Sequence, residues 1–415
     1  MEAMKMESDF HMVKGEGENS YINNSRHQQK TLFETKPVLE KAVAEVCSAV
    51  LPRNLLLVGD LGCGSGKNTL IFLSEVIDAT RGLPVELQFF LNDLPSNDFN
   101  HIFQSCDEHL KNSAAAVHKG ERPTPIYIAG VPGSYYTRLF PFQSVHLFHS
   151  SFSLHWHSQF PYGLDDNKGN IYIARTTPPY VVKLYQEQFQ KDLMLFLELR
   201  YEELAFGGQM VLTFLGRKNE DVYSGSMNYL YELLAQSLQT LVKKELVSQE
   251  KLESFNLPIY GASIGEVKEI INQSGLFDIN HIKLFESNWD PYNDSENNNV
   301  QDNIQSGVNI AKSIRAVMET LFVSHFGESM IDALFKEFAN KVADYIERAD
   351  NPNYSIIILS LQRKSEACIV NALSTSRISQ DIDSTIPFDH QFEDGVHKNC
   401  TPFFNNDVKG LLIIP

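Results

Sequence analysis

Asp60-Leu61-Gly62-Cys63-Gly64-Ser65-Gly66-Lys67-Asn68-Thr69 is the stretch that decides the fold. Directly before it runs Leu55-Leu56-Leu57-Val58, a short apolar segment that reads as a buried parallel strand. Beyond Gly66, the apolar residues Leu70, Leu73, Val76 and Ile77 recur at helical spacing. The unit is therefore strand, glycine turn, helix. Glycines at 62, 64 and 66 let the backbone pass close to a ligand at the end of the strand.

Working outward, further strands are predicted at 86–92, 126–130, 144–148 and 210–215, with a last pair at 281–286 and 354–361. Helices are predicted over 32–50, 180–205 and 228–247. Ile310, Ile314, Val317 and Leu321 share one further helical face, and Ile331, Leu334, Phe335, Phe338 and Val342 share another. Alternating strands and helices predict an α/β protein with a doubly wound, Rossmann-like sheet and an α-helical cap. The expected organisation is an N-terminal arm over 1–30 and an α/β core over 31–218. A mainly helical cap follows over 219–350, interleaved with the core strand 281–286. The last core strand falls within 351–364. The stretch 293–303 reads as an exposed loop, and 365–415 lacks sustained periodicity and is expected to be disordered.

The glycine turn admits three ligand classes. A nucleotide-phosphate loop needs glycine where Leu61 stands and a hydroxyl where Asn68 stands. A dinucleotide turn needs glycine where Lys67 stands. The remaining form, D-x-G-x-G-x-G, is the usual first motif of S-adenosylmethionine methyltransferases. Asp93, ending the second strand, can accept hydrogen bonds from both ribose hydroxyls of such a ligand.

Composition limits the alternatives. The 415 residues include 35 basic and 52 acidic side chains, for a net charge of −17. That balance argues against nucleic acid or an anionic membrane as the main partner. No apolar run approaches the roughly 20 residues that a membrane helix needs. No secretory leader is visible. The five cysteines, at 47, 63, 106, 368 and 400, lack zinc or redox spacing, which favours reduced thiols and a cytoplasmic home.

Several longer segments then stand together: GEGENSYINNS (15–25), DLGCGSGKNTL (60–70), FFLNDLPSNDFN (89–100), GVPGSYYTRLFP (130–141), HLFHSSFSLHWHSQFP (146–161), GGQMVLTFLGR (207–217) and FGE (326–328). Through them the chain resembles the plant SABATH family of salicylate, benzoate and theobromine methyltransferases, over residues 9–364. Within that family the grass benzoate/salicylate and anthranilate enzymes look most alike. The resemblance implies S-adenosylmethionine as cofactor and a small carboxylic acid as substrate, joined in a methyl ester by in-line transfer. It implies cofactor contacts from Tyr21, Ser25, Asp60, Gly62, Cys63, Asn68, Asp93, Leu94, Ser134, Tyr135 and Ser151. It implies that Gln28 and Trp156 hold the substrate carboxylate, with His155, Tyr231, Tyr260, Ile314 and Tyr354 around the ring. A magnesium contact linked to the family maps onto Asn167, Glu253, Phe255 and Asn256, and a homodimer is common in the family.

The chain departs from the family pattern at Gly64, Lys67, Phe152 and His157. Lys67 beside a sulfonium would repel it, unless it points out from the first helical turn. No general base is expected, because a carboxylic acid with a pKa of roughly 4 is already ionised at neutral pH. Aromatic acids of the benzoate, salicylate or anthranilate type are the expected substrates. Jasmonate, indole-acetate or a xanthine nitrogen are alternatives, and a non-catalytic acid-binding protein is the rival from another class.

Overall fold

The computed structural model describes residues 6, 10–50, 54–64, 66–115, 124–293, 302–348 and 352–365. They fall within one unit, Met1–Ile369. The expected tail beyond Ser365 lies outside the described residues, as do Cys368, Cys400 and positions 294–301 of the exposed loop.

Seven strands form one sheet in the order β3-β2-β1-β4-β5-β7-β6. They are β1 (Leu55–Leu61), β2 (Glu86–Asp93), β3 (Ile126–Pro132), β4 (Val145–Ser151), β5 (Leu204–Gly216), β6 (Phe277–Asn288) and β7 (Asn353–Arg363). From β1 the chain moves outward through β2 and β3, then returns to place β4 on the other side of β1, all in parallel. The order of strands therefore reverses between β1 and β4, where open α/β sheets leave a crevice beyond the strand ends. The predicted doubly wound sheet is present. What periodicity did not reveal is that β7 inserts between β5 and β6, antiparallel to both. Its run Ile356-Ile357-Ile358-Leu359 is buried on both faces, and such a run carries no information about direction.

The helix α1 (Tyr21–Asn24) is followed directly by α2 (Arg26–Val50). The arm expected at 1–30 is thus partly helical, and α2 starts well before the predicted position 32. Its first turns lack apolar periodicity because their inner face is polar. There Thr31 and Thr35 are buried and donate their hydroxyls to the carbonyls of His27 and Leu32. Farther along, Leu39, Val43 and Val46 of α2 join Phe72, Leu73 and Val76 of α3 (Lys67–Ala79). Both helices cover Leu56 and Val58 of β1 and Leu87, Phe89 and Leu91 of β2. After β2 comes α4 (Phe99–Ala115).

A larger apolar cluster gathers Tyr185, Phe189 and Phe196 of α5 (Pro179–Glu203) with β5, β7 and the later helices. The end of α5 holds a fully buried ion pair, with Arg200 Nε 2.8 Å from Glu203 Oε2. Arg200 also donates to the carbonyls of Tyr135 at 2.8 Å and Thr137 at 3.0 Å. Glu203 Oε1 accepts from the amides of Leu139 at 2.6 Å and Phe140 at 3.1 Å. Two buried charges persist only when paired and hydrogen-bonded in this way. Here the network fixes the loop after β3.

The remaining helices are α6 (Ser226–Lys243), α7 (Gln249–Glu253), α8 (Ile264–Ser274), α9 (Asn303–Phe326) and α10 (Ile331–Arg348). Ser263 and Glu266 form a reciprocal capping box that starts α8. Between β6 and β7, α9 and α10 pack as a pair, joined through Gly327 and a short turn, Glu328–Met330. They approach so closely at Gly307 that a Cβ there would lie 2.3 Å from the carbonyl oxygen of Ala339. No helix among the described residues is long and apolar enough to cross a membrane.

Gly307→Ala tests this contact. On an exposed helix the change would stabilise by about 1 kcal/mol. Against a backbone oxygen that cannot rotate away, overpacking of about 1–3 kcal/mol outweighs it. We expect a lower thermal midpoint for the variant, measured by circular dichroism; an unchanged or higher midpoint would contradict the packing.

Candidate active site

The glycine turn closes over the end of β1. Gly62 and Gly64 adopt positive φ, at 74° and 66°. The amides of Gly62 and Cys63 both donate to the carbonyl of Asn92 at 2.9 Å. Gly64 N–H donates to Asp93 Oδ2 at 2.6 Å. A Cβ on Gly62 would lie 2.2 Å from Ser153 Oγ. Conformation and space thus both demand glycine at 62.

Beyond the turn opens a cleft. Gly62, Asp93, Leu94, Ser134, Tyr135, Ser151 and Tyr21, all expected at the cofactor, line it together with Gly64. Asp93 is held by the amides of Gly64 and Leu94, and burial raises its pKa to about 6. Four residues expected at the cofactor do not line the cleft. Asp60 is buried, with one oxygen 2.7 Å from His149 Nδ1 and the other accepting from Thr69 Oγ1. Both of its oxygens are thus engaged within the fold at the end of β1. The buried Cys63 thiol donates to Gly64 O, and burial pushes its pKa well up. Asn68 donates to the Tyr21 hydroxyl, and the buried Ser25 lies beside α1. Lys67 is the exposed first residue of α3, so its charge points away from the cleft.

A second pocket adjoins the cleft and shares lining residues with it. Gln28, His155, Trp156, Tyr231, Ile314 and Tyr354 line it together, although they come from five separate parts of the chain. Tyr260 does not. Its hydroxyl accepts from Arg217 Nη1 at 2.9 Å and donates to Glu266 at 2.8 Å, in a buried network at the start of α8. Met12, Tyr21, Phe152 and Trp156 border both spaces and form the seam between them. Phe152 holds a left-handed φ of 57°, a strained state for a bulky residue and one concentrated at functional sites.

The seam carries unusual polar groups. The Trp156 indole Nε1 is buried and has no hydrogen-bond partner among the described residues; the same holds for Gln28 Oε1. Burial lowers the pKa of His155 to about 3, so its ring is neutral. His155 Nδ1 accepts from the amide of Leu215 at 3.3 Å, which leaves the proton on Nε2. The histidine is therefore a donor at Nε2. His27, also on the pocket wall, is likewise held neutral, with a pKa lowered to about 3 by burial. His157 lines the cleft, its Nδ1 3.4 Å from Asp192 Oδ2.

Sequence reasoning missed Phe10 and Met12, because they lie in a stretch that is otherwise polar. Phe10 packs on Trp156 with ring centroids 4.7 Å apart. The surrounding segment is strapped across the site. Val13 N–H donates to Ala316 O, Thr320 Oγ1 to His11 O and Ser96 Oγ to Phe10 O. The small number of apolar residues in a polar arm was the available signal. Trp289 was missed as well; it follows β6 and lines the inner pocket.

The oxygens expected around magnesium are turned to other use. Asn167 Oδ1 accepts from Thr177 and Asn170, while Asn256 Oδ1 accepts from Asn167 Nδ2. Glu253 accepts from Gln249. Among the described residues no group of three or more His, Cys, Asp or Glu side chains is placed to hold a metal. The side-chain oxygens of Asn167 and Asn256 are engaged in hydrogen bonds with neutral partners, Glu253 supplies the one carboxylate of the expected set, and no chemistry is routed through a metal.

Comparison with known proteins agrees with this geometry. The family described as SAM dependent carboxyl methyltransferase matches residues 7–364. Anthranilate O-methyltransferase 3 of Zea mays is 54% identical over 376 residues, covering 87% of this chain and 98% of that protein. Benzoate O-methyltransferase of Zea mays is 51% identical over 389 residues, covering 87% and 100%. A solved structure of loganic acid methyltransferase with SAH superposes with a TM-score of 0.73 at 29% identity, covering 86% of this chain and 99% of that one. The motifs, the two adjoining hollows and these matches lead to one conclusion: the chain belongs to the S-adenosylmethionine-dependent carboxyl methyltransferase family.

Proposed function

We propose that this enzyme esterifies small aromatic carboxylic acids of the benzoate and anthranilate type, with the cofactor in the outer cleft and the acid in the inner pocket. One observation carries the reading. An unpartnered indole N–H, that of Trp156, is buried at the seam between the two spaces. A buried donor without a partner costs about 1–3 kcal/mol, and a carboxylate oxygen would satisfy it. The names of the Zea mays relatives, anthranilate and benzoate methyltransferases, support the substrate class.

In this reading Asp93 takes the ribose hydroxyls, and Gly62 and Gly64 allow the ligand to lie against the backbone. Leu94, Ser134 and Tyr135 border the adenine, Ser151 closes the cleft, and Tyr21 spans the seam. S-adenosylmethionine, when bound, supplies an activated methyl group. The protein has to hold the acid in place and keep water out. The acid arrives ionised, so no residue must remove a proton. Trp156 Nε1–H and His155 Nε2–H donate to the carboxylate and leave one oxygen free. Gln28 lies beside them. Tyr231, Ile314 and Tyr354 pack on the ring. Orienting two reactants in this way contributes about 7–11 kcal/mol, and desolvation keeps the carboxylate reactive.

Two outcomes check the reading. Trp156→Phe keeps the ring and removes the donor. Losing a hydrogen bond to a charged group costs about 1.5–3 kcal/mol, so ester formation from benzoate should fall about 10- to 100-fold in kcat/KM. The assay counts labelled methyl in an organic extract. Unchanged turnover with undiminished cofactor affinity would overturn the assignment.

The second outcome concerns pH. The Asp93 pKa is raised to about 6, so its carboxylate is ionised above that pH and protonated below it. Hydroxyl donors favour the ionised form, so binding should release a proton near pH 5–6. S-adenosylhomocysteine affinity, measured by calorimetry, should be flat above pH 7. It should weaken about tenfold per unit below about pH 5.5. Asp93→Asn should bind more weakly and lose that dependence; a wild-type profile flat down to pH 4.5 would contradict the role of Asp93.

A further inference from the structure

The chain contains only two tryptophans, and both line the inner pocket. Each has its indole Nε1 buried without a hydrogen-bond partner among the described residues. An indole nitrogen can only donate, so the pocket holds two donors and each is costly to leave unmade. Their surroundings differ. Trp156 borders the outer cleft as well and packs on Phe10. Trp289 does not border the cleft. It is 1% exposed, stacks on Tyr345 of α10 at 5.6 Å and lies 6.1 Å from Tyr354 of β7. Its backbone is anchored by a bond from Trp289 N–H to Pro352 O at 2.9 Å. One donor thus stands at the seam and the other deep in the pocket, away from the reacting end.

We propose that Trp289 forms a distal subsite, in which Nε1–H reads a hydrogen-bond acceptor on the acid's ring, apart from its carboxylate. This rests on the reading that the inner pocket holds the acid. The chemistry it selects is an ether, carbonyl or hydroxyl oxygen carried on the ring. A purely hydrocarbon substituent of the same shape leaves the buried N–H unpaired, and sites of that kind reject the analogue that lacks the partner. The neighbouring walls, Tyr231, Ile314 and Met318, are buried, so competing water is few and the contact is strong. Trp156 and Trp289 are then two ends of one measuring device, the first fixing the carboxylate and the second testing what lies opposite.

The experiment compares acceptor and hydrocarbon pairs of matched shape: 3- and 4-methoxybenzoate against 3- and 4-ethylbenzoate, with benzoate as reference. Binding is followed by intrinsic tryptophan fluorescence, which comes from these two residues alone. Turnover is followed by labelled methyl ester. In the wild type, one methoxy isomer should exceed its ethyl counterpart by about tenfold in both affinity and kcat/KM. In Trp289→Phe that ratio should fall to about one, because the methoxy acid loses a contact that the ethyl acid never made. Trp289→His, which restores an N–H, should recover part of the ratio. A wild-type ratio near one would overturn the subsite, as would a ratio unchanged by Trp289→Phe. So would a parallel loss for methoxy, ethyl and unsubstituted acids, which marks packing alone. Failure of the wild type to esterify any acid would instead sink the substrate reading, while the fluorescence titrations would still decide the subsite.

Discussion

The buried carboxylate of Asp60 ties together the elements around the glycine turn. One oxygen engages His149 on β4 and the other Thr69 on α3, so both neighbours of the glycine turn are tied to the strand that leads into it. His149 is stacked on Phe72 of α3 at 4.0 Å, which fixes the same junction from the apolar side. With strand, helix and neighbouring strand joined, the turn must bend sharply, and it does so through positive φ at Gly62 and Gly64. The cleft is the space left by that bend. Its far wall, the loop after β3, is set by the Arg200–Glu203 pair in the same indirect manner.

Most of the sheet was legible because each strand is a short apolar run and each glycine pair marks a turn. The cofactor turn was legible because its glycine spacing excludes phosphate loops. What periodicity could not show was anything fixed by tertiary context. The antiparallel course of β7 leaves no mark on a run buried on both faces. The helical start of α2 hides behind polar residues whose hydroxyls bond back to the helix itself. Asp60 and Asp93 look alike in sequence, as carboxylates at strand ends, yet one lies under the turn and the other on the cleft wall. Tyr260 looks like a pocket aromatic, yet Arg217 and Glu266 claim its hydroxyl.

The inner pocket is lined by neutral groups. Burial keeps His27 and His155 uncharged, and among the described residues no lysine or arginine lines the space. A guanidinium would hold a carboxylate more tightly, but it would also draw off the charge that makes the oxygen a nucleophile. In the proposed arrangement, indole and imidazole N–H groups would orient the acid while leaving its electrons available. That choice favours the reacting state over the bound one.

The N-terminal strap has a consequence for how the enzyme matures. Glu18 pairs with Lys312 and His11 O accepts from Thr320, contacts 294 and 309 residues apart in the chain. Residues made first therefore wait for residues made near the end of synthesis. Such non-local closure is entropically slow and comes late in folding. During translation β1 and β2 are made well before α9 and β7, which supply Ile314, Met318 and Tyr354 to the inner pocket. Tyr354 of β7 follows α9 in the chain, so the wall of the inner pocket is complete only after both have been made.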